Sequence, residues 1–543
     1  MERMTTAQAV VGTLRRNGID TVYCLPGVQN DPFFDALYDN TNAIRPIHAR
    51  HEQGCAYMAL GAAMATGKPQ VYAVVPGPGF LNTTAALSTA YACNAPVMAL
   101  SGQIPLGLVG RNLGQLHELP DQLSIMRGLT KWSARIKGAA EAPGLVNDAF
   151  RIMRSGRQRP VGLECSMDTW ARKATVAMPQ DGATPDIVPV DEDAVEAAAK
   201  LLGAAKRPLI CVGGGALHAG EALRAVAEAL QAPVMASRMG HGAIDCRHPL
   251  SINSLAGHKF WAGADVVLAV GTRLMNQLAQ WGVDSDLKII RVDADPEEIV
   301  RQRAPDIGIV GDSALVLKAL AERLGKHNAK RADRTDEVRE VKAKVMAGID
   351  GLRPQLDYLE AIRAALPEDG IFVDELTQVG YVARLAYKTY RPRTFITTGY
   401  QGTLGWGYAT GLGVKIAMPD TPVLSINGDG GFLFTANEMA TAAQHNIPLV
   451  AVVFADGAFG NVKRIQQDQF SNRTIATDLK NPNFVKMAES FGVEGMRAHS
   501  PAELKATIEK AFTRKAPVLI EVPVGQMPDP WKHVALGRAR RPA

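Results

Sequence analysis

Short, nearly continuous apolar runs alternate with helix-like stretches along most of this chain. Thr21-Val22-Tyr23-Cys24, residues 70–75 and residues 96–100 read as strands, and Arg45-Pro46-Ile47-His48 as a short one leading into an alanine-rich helix through Thr66. Residues 208–212, 264–270 and 288–293 repeat the pattern, each run ending in a turn. A third set follows at residues 371–373, 423–426 and 449–454, with a helix-like segment over 438–445. Strands alternating with helical patterns indicate parallel sheets. The pattern predicts an α/β protein of three consecutive parallel-sheet α/β domains, at residues 1–175, 190–325 and 355–543. Residues 169–191, rich in proline and polar side chains, read as a connector. The charged stretch 325–344 reads as a solvated linker containing some helix. No short-period repeat is visible.

Composition narrows the class. At 543 residues the chain is too long for one hydrophobic core. With 47% hydrophobic and 21% charged residues it has the balance of a soluble globular protein. A net charge of +5 is small for this length and argues against nucleic acid as a partner. The basic end, Arg538-Ala539-Arg540-Arg541, reads as a solvated tail. Neither a signal peptide nor an apolar run able to span a bilayer is evident, so no membrane partner and a cytoplasmic location are expected. The six cysteines show no CxxC spacing and read as buried free thiols.

The chemistry concentrates at 428–456. The strand ending at Ile426 runs into Asn427-Gly428-Asp429-Gly430-Gly431, and the strand ending at Phe454 runs into Ala455-Asp456-Gly457. Two carboxylates thus stand at the carboxyl ends of neighbouring crossover strands, where open parallel sheets bind ligands. Magnesium takes one or two carboxylates plus phosphate oxygens. Glycines such as Gly428, Gly430 and Gly431 let backbone amides approach a phosphate closely. The segment reads as a divalent cation holding a diphosphate.

The order of motifs resembles the acetohydroxyacid (acetolactate) synthase-like superfamily of thiamine-diphosphate enzymes. Arg50-His51-Glu52-Gln53, then Pro76-Gly77-Pro78-Gly79 with Asn82, then Ser101-Gly102-Gln103 look like its pyrimidine-binding domain. The GDG at 428–430, followed after positions 431–454 by Ala455-Asp456, looks like its diphosphate-binding domain, with a central domain between the two. The resemblance implies thiamine diphosphate and Mg²⁺ as cofactors. Asp429, Asp456 and the carbonyl of Ala458 would be the metal ligands. Asp456 replaces the family's asparagine and adds a negative charge that the metal or neighbours must offset. Glu52 would hydrogen-bond N1′ of the aminopyrimidine, making N4′ a base beside C2, where proximity does much of the work. Pro26, Asn82, Thr377, Gln378, Gly402 and Leu404 would also contact the cofactor, Leu404 beneath its bend. Because one chain would supply the pyrimidine side and another the diphosphate side, a homodimer or homotetramer with active sites at the subunit interface is expected.

The resemblance implies attack on a carbonyl from C2 and cleavage of the adjacent carbon–carbon bond. Candidate substrate-side residues are Gln29, Asn30, Gln115, His117 and Asn461. His117 is the one with a side chain suited to proton transfer near neutrality, and is equally readable as a surface-loop histidine. Asn461 is equally readable as the cap of the helix that follows. Asn461 and Ile465 stand where synthases carry a methionine and a tryptophan, and the asparagine is similar to the cyclic-diketone hydrolase branch. The expectation is an acetolactate synthase-like lyase or carboligase acting on small 2-keto acids or 1,2-diketones. The alternatives are a simple 2-keto acid decarboxylase and a catalytically silent cofactor-binding paralogue. Gly213-Gly214-Gly215 and Gly271-Thr272-Arg273 would fit a dinucleotide, which leaves FAD open as a further cofactor.

Overall fold

The computed structural model describes residues 1–540. The chain forms two compact units, the first built from Met1–Asp186, Thr398–Arg497 and Lys510–Pro523. Its N-terminal sheet has six parallel strands in the order Arg45–His48, Thr21–Cys24, Gln70–Val74, Val97–Gln103, Val161–Ser166, Trp132–Ile136. Thr21–Cys24, Val97–Gln103 and Val161–Ser166 are buried along their whole length. Helices cover both faces of such a sheet, and this is why its strands read as unbroken apolar runs. Phe33, Phe150 and Trp170 fill the core behind it.

A further parallel sheet carries the C-terminal strands. Within the first unit these run in the order Val423–Gly428, Val450–Ala455, Val518–Pro523, Glu494–Arg497. Gly428 is in register with Phe454, so Asp429 and Asp456 leave the sheet side by side at its carboxyl edge. The helices Glu52–Thr66 and Gly407–Ala417 pack directly on each other. Both are small-residue-rich and buried nearly all round, as helices enclosed in a core must be.

The second unit holds the central sheet, six parallel strands in the order Ser251–Ile252, Val234–Ala236, Leu209–Val212, Val266–Val270, Lys288–Asp293, Ile307–Val310. It also holds the parallel pair Ile371–Asp374 and Phe395–Thr397. Parallel sheets flanked by helices thus recur three times along the chain, as the alternating pattern predicts.

Three local expectations are corrected. The 169–191 connector begins with ordered structure: Lys173–Val176 pairs antiparallel with Glu2–Thr5, a partner too distant in sequence for local pattern to reveal. The 325–344 stretch is not a free linker, because Arg331 donates to the carbonyls of Leu202, Gly203 and Ala205 at 2.6–3.2 Å, capping the Glu192–Ala204 helix. Val338, in the helix Thr335–Ala347, is fully buried. The basic end is not a solvated tail. Arg540 is 7% exposed and donates to the carboxylate of Asp284 (2.8 Å) and to the carbonyls of Trp261 (2.8 Å) and Ala264 (2.5 Å). Those carbonyls end the Ser254–Gly263 helix, where a cation is favoured. Arg541 lies outside the described residues.

All six cysteines are free and five are buried. Burial pushes the Cys24 thiol up to about 12, so it stays protonated. Among the described residues no helix is long and apolar enough to cross a membrane.

Candidate active site

Asp429 follows the Val423–Gly428 strand directly and is 2% exposed. Its Oδ1 accepts from the Gly430 amide at 2.8 Å, and its Oδ2 accepts from the Gly457 amide at 2.7 Å and from Asn481 Nδ2 at 2.6 Å. The Gly457 bond ties the two strand ends together, and Gly457 sits at φ +71°, which glycine adopts at no steric cost. Asp456 Oδ1 accepts from the Ala458 amide at 3.2 Å. Ala458 bridges Asp478, and Leu479 and Gly457 share a further backbone bond of 2.8 Å. The loop bearing Asp456 is therefore held along its length.

The candidate donors are all oxygen: two carboxylates and the Ala458 carbonyl. Asn481 adds an amide oxygen that is buried without a hydrogen-bond partner. A buried, unpaired acceptor is costly unless something electropositive faces it. These residues fit Mg²⁺, a hard cation that leaves ligand positions to water and phosphate. Among the described residues no three His, Cys, Asp or Glu side chains cluster, so a cation here depends on backbone and cofactor oxygens as well. Asn481 was not singled out in the sequence. Its only local signal is the turn-forming Asn481-Pro482 pair.

Glu52 opens the helix Glu52–Thr66, and its side chain is 13% exposed. A glutamate there commonly caps the helix. Here His51 is the cap, its Nδ1 accepting from the Gln53 amide at 3.2 Å. The Glu52 carboxylate is left for Asn82, whose Nδ2 donates to Oε2 at 2.9 Å. The structure thus brings together two residues that the motifs singled out separately.

The remaining candidates divide by what their side chains already do. Gln29 is 1% exposed; its Nε2 donates to the Leu116 carbonyl at 3.4 Å, and its Oε1 is buried without a partner. This places Gln29 beside the segment of Gln115 and His117. His117 has φ +67° and a buried, unpartnered Nδ1, and its carbonyl lies against Gly77. Asn30 is occupied inside the fold, donating to the Val74 carbonyl (2.8 Å) and accepting from Trp170 Nε1 (3.3 Å). Asn461 does not cap its helix. It is the second residue of Gly460–Gln469, and its Oδ1 accepts from Arg464. Pro26 is exposed, Gly402 sits at φ +60°, and Leu404 is half-buried. Thr403, between the last two, shares a 2.8 Å hydroxyl contact with Thr89.

Thr377 and Gln378 belong to the second unit. Thr377 Oγ1 caps the Gln378–Ala386 helix by accepting from the Gly380 amide at 2.7 Å. Gln378 binds the 525–527 backbone, accepting from Met527 N (2.7 Å) and donating to the Gly525 carbonyl (3.2 Å). Nearby, burial pushes the Asp374 carboxyl up to about 7 despite Arg384, Arg238 and Thr397.

In the central sheet the glycines of the two turns are explained by packing. A Cβ on Gly213 would lie 2.2 Å from the Gly271 carbonyl oxygen, and one on Gly215 2.8 Å from Gly271 Cα. Arg291, 1% exposed, donates to the carbonyls of Thr272 and Ile299 and clamps the second turn from below.

Comparison with known proteins places this geometry in a family. Residues 4–125 match the thiamine pyrophosphate enzyme N-terminal TPP binding domain, 195–320 the central domain, and 376–522 the C-terminal TPP binding domain. The chain belongs to the thiamine pyrophosphate enzymes, and within them it is acetolactate synthase-like. It is 34% identical to a probable 2-ketoarginine decarboxylase of Pseudomonas aeruginosa, over 96% of this chain and 94% of that protein. It is 33% identical to a probable acetolactate synthase large subunit of Methanocaldococcus jannaschii, over 96% and 92%. Against the acetolactate synthase isozyme 3 large subunit of Escherichia coli the identity is 31%, over 94% and 93%. The protein is therefore an enzyme that works with thiamine diphosphate.

Proposed function

We propose that this enzyme cleaves the carbon–carbon bond beside the carbonyl of a small 2-keto acid or 1,2-diketone and joins the fragment to a second carbonyl compound, with Mg²⁺ holding the cofactor. One observation carries the reading: Glu52 is relieved of helix capping and its carboxylate is aligned by Asn82. Bound thiamine diphosphate supplies the electron sink that such a cleavage needs. Glu52 would hold the proton at the ring nitrogen N1′, and Asn82 would keep Oε2 in line. Asp429, Asp456 and the Ala458 carbonyl would take the cation, and Asn481 would keep Asp429 aligned. Gly428, Gly430, Gly431, Thr377 and Gln378 are assigned to the diphosphate, and Pro26, Gly402 and Leu404 to the rest of the cofactor. Gln29, Gln115, His117 and Asn461 are assigned to the substrate. Asn30 instead supports the fold, since both ends of its amide are occupied.

The test is incubation with pyruvate, larger 2-keto acids including 2-ketoarginine, and cyclic 1,2-diketones, with thiamine diphosphate and Mg²⁺ present and products identified by mass. Coupled products are expected. Glu52→Gln should lower kcat by roughly 100- to 10,000-fold, the usual range for a proton-transfer group. Cofactor binding without any turnover across the panel would favour a silent paralogue and defeat the proposal. A second reading, simple decarboxylation, is favoured by the similarity to a probable 2-ketoarginine decarboxylase. Carbon dioxide and an aldehyde with no coupled product would select it.

A homodimer or homotetramer is proposed with its sites between copies. Leu113 (57% exposed) and Leu116 (66%) flank Gln115, while Phe434 (50%) and Phe470 (59%) follow the two carboxylate loops. Large apolar side chains so exposed suit burial against a second copy. Light scattering that shows a monomer at micromolar concentration would refute this. No step is assigned to FAD, because the central glycines are accounted for by turn-to-turn packing. A flavin absorbance band in the purified protein would reverse that assignment.

A further inference from the structure

We infer that Glu438 is a positioning residue for Glu52, holding the backbone on which Glu52 is mounted; the inference rests on the role proposed for Glu52. Glu438 is fully buried where the turn Ala436–Glu438 meets the helix Met439–Gln444. Its carboxylate reaches across to the N-terminal sheet's side of the unit. It accepts from the Arg50 amide (3.0 Å to Oε2, 3.2 Å to Oε1) and from the His51 amide (3.0 Å to Oε1). The Thr441 hydroxyl (2.6 Å) and Asn437 Nδ2 (3.3 Å) complete its partners. Arg50 and His51 are the two residues immediately before Glu52, and the amide of His51, the N-cap, is one that the helix start leaves without an intrahelical partner.

The approach is close enough to dictate sequence. A Cβ on Gly54 would lie 2.3 Å from Glu438 Oε1, so any larger residue in the turn after Glu52 would displace this carboxylate from its donors. Two further ties flank the carboxylate. Gln53 Nε2 donates to the Phe434 carbonyl at 2.7 Å, and the Arg50 guanidinium donates to Gln444 at 2.9 Å rather than to Glu438. Residues 50–54 are thus fastened to 434–444, whereas among the described residues the Glu52 carboxylate itself accepts a hydrogen bond from Asn82 alone. The aim of Glu52 is therefore set by the backbone that Glu438 holds. A buried carboxylate is costly, and burial raises the proton affinity of Glu438 against its four donors. A neutral side chain would pack here more cheaply, and this favours a role beyond packing.

The test uses full-length enzyme loaded with thiamine diphosphate and Mg²⁺. Glu438→Gln keeps the size but can accept with one oxygen only and turns an NH₂ toward an amide donor. Faster hydrogen exchange is expected at the amides of residues 50–54, with the rest of the chain unchanged. The near-ultraviolet circular dichroism of the bound cofactor, which reports the tautomer of its aminopyrimidine, should change. On the best substrate of the panel kcat should fall on the order of 100-fold with KM within about twofold, as a misplacement of about 1 Å can produce. Wild-type exchange, dichroism and kcat in Glu438→Gln would overturn the inference. So would a variant that fails to fold while Glu438→Ala folds and works normally, or unfolding of both, which would make Glu438 a residue of the fold alone. Failure of the wild-type protein to bind thiamine diphosphate would instead defeat the functional reading, and is seen before any variant is made.

Discussion

Gly61→Ala should destabilise this protein, although helix propensity alone favours it. Gly61 lies inside the helix Glu52–Thr66 with ordinary helical geometry, and alanine is better than glycine there by about 1 kcal/mol. The tertiary contact reverses the sign. An added Cβ would lie 2.1 Å from the Thr410 carbonyl oxygen and 2.9 Å from its carbonyl carbon. The facing helix answers in kind, since a Cβ on Gly413 would lie 1.9 Å from the Met58 carbonyl oxygen. Neither obstacle is a side chain that can turn away. The helices must separate by about 1 Å, which forfeits a quarter to a half of the dispersion energy of the contacts between them. Overpacking costs about 1–3 kcal/mol, and backbone against backbone belongs at the upper end. Subtracting the propensity gain leaves a net loss of about 2 kcal/mol. Urea unfolding followed by tryptophan fluorescence measures it, Trp406 being buried at the start of the partner helix. Gly325→Ala, in the helix Ser313–His327, is the control: no atom lies within 4 Å of its added Cβ, so propensity should show and stability should rise by up to about 1 kcal/mol. The reasoning is refuted if Gly61→Ala unfolds at the same or a higher urea concentration than the parent. Because this helix opens with Glu52, activity should fall alongside stability.

Asn481→Ala removes the 2.6 Å bond to Asp429 and should weaken Mg²⁺ binding in the presence of thiamine diphosphate by roughly 10- to 100-fold, measured by calorimetric titration; an unchanged affinity would show that Asp429 needs no such support. His241 is half-buried and stacked on Phe395 at 4.7 Å, and loss of water around its ring lowers its pKa to about 4. The folded state then binds its proton less readily than the unfolded state, so stability should be lost as pH falls from about 6.5 through about 4, by at most about 3 kcal/mol. His241→Phe should flatten that part of the stability profile, and an identical acid limb in the variant would contradict this. Arg540→Ala removes the guanidinium from two helix-end carbonyls and from the Asp284 carboxylate and should cost about 1.5–3 kcal/mol in urea unfolding. A change below about 0.5 kcal/mol would return the C-terminal end to the status of a surface tail.

What could be read along the chain was whatever depends on neighbours in sequence. Strands such as Val450–Ala455 are buried on both faces, so they leave continuous apolar runs that need no partner to be recognised. The carboxylates at 429 and 456 were legible because each follows such a run, and Glu52 because it opens a helix at the end of a recognisable motif. Polar side chains carry no comparable period. Asn481 meets Asp429 across 52 residues, and Glu438 meets Arg50 across 388. Arg331 and Arg540 looked like solvent-facing charge because nothing nearby in sequence announces the helix ends they cap. Asn461 looked like a cap because it precedes a helical pattern, but the helix begins one residue earlier.

The amino-acid sequence alone thus determined the architecture and, through motifs that resemble a known family, the cofactor class and the carboxylates proposed to serve it, since burial periodicity and short-range motifs are local properties. The pairing of Glu52 with Asn82, the support of Asp429 by Asn481 and the brace from Glu438 to the start of the Glu52 helix were decided only in three dimensions. A hydrogen bond is set by a distance of about 3 Å between two atoms, and no pattern along a chain encodes that until the sheets have brought remote segments together.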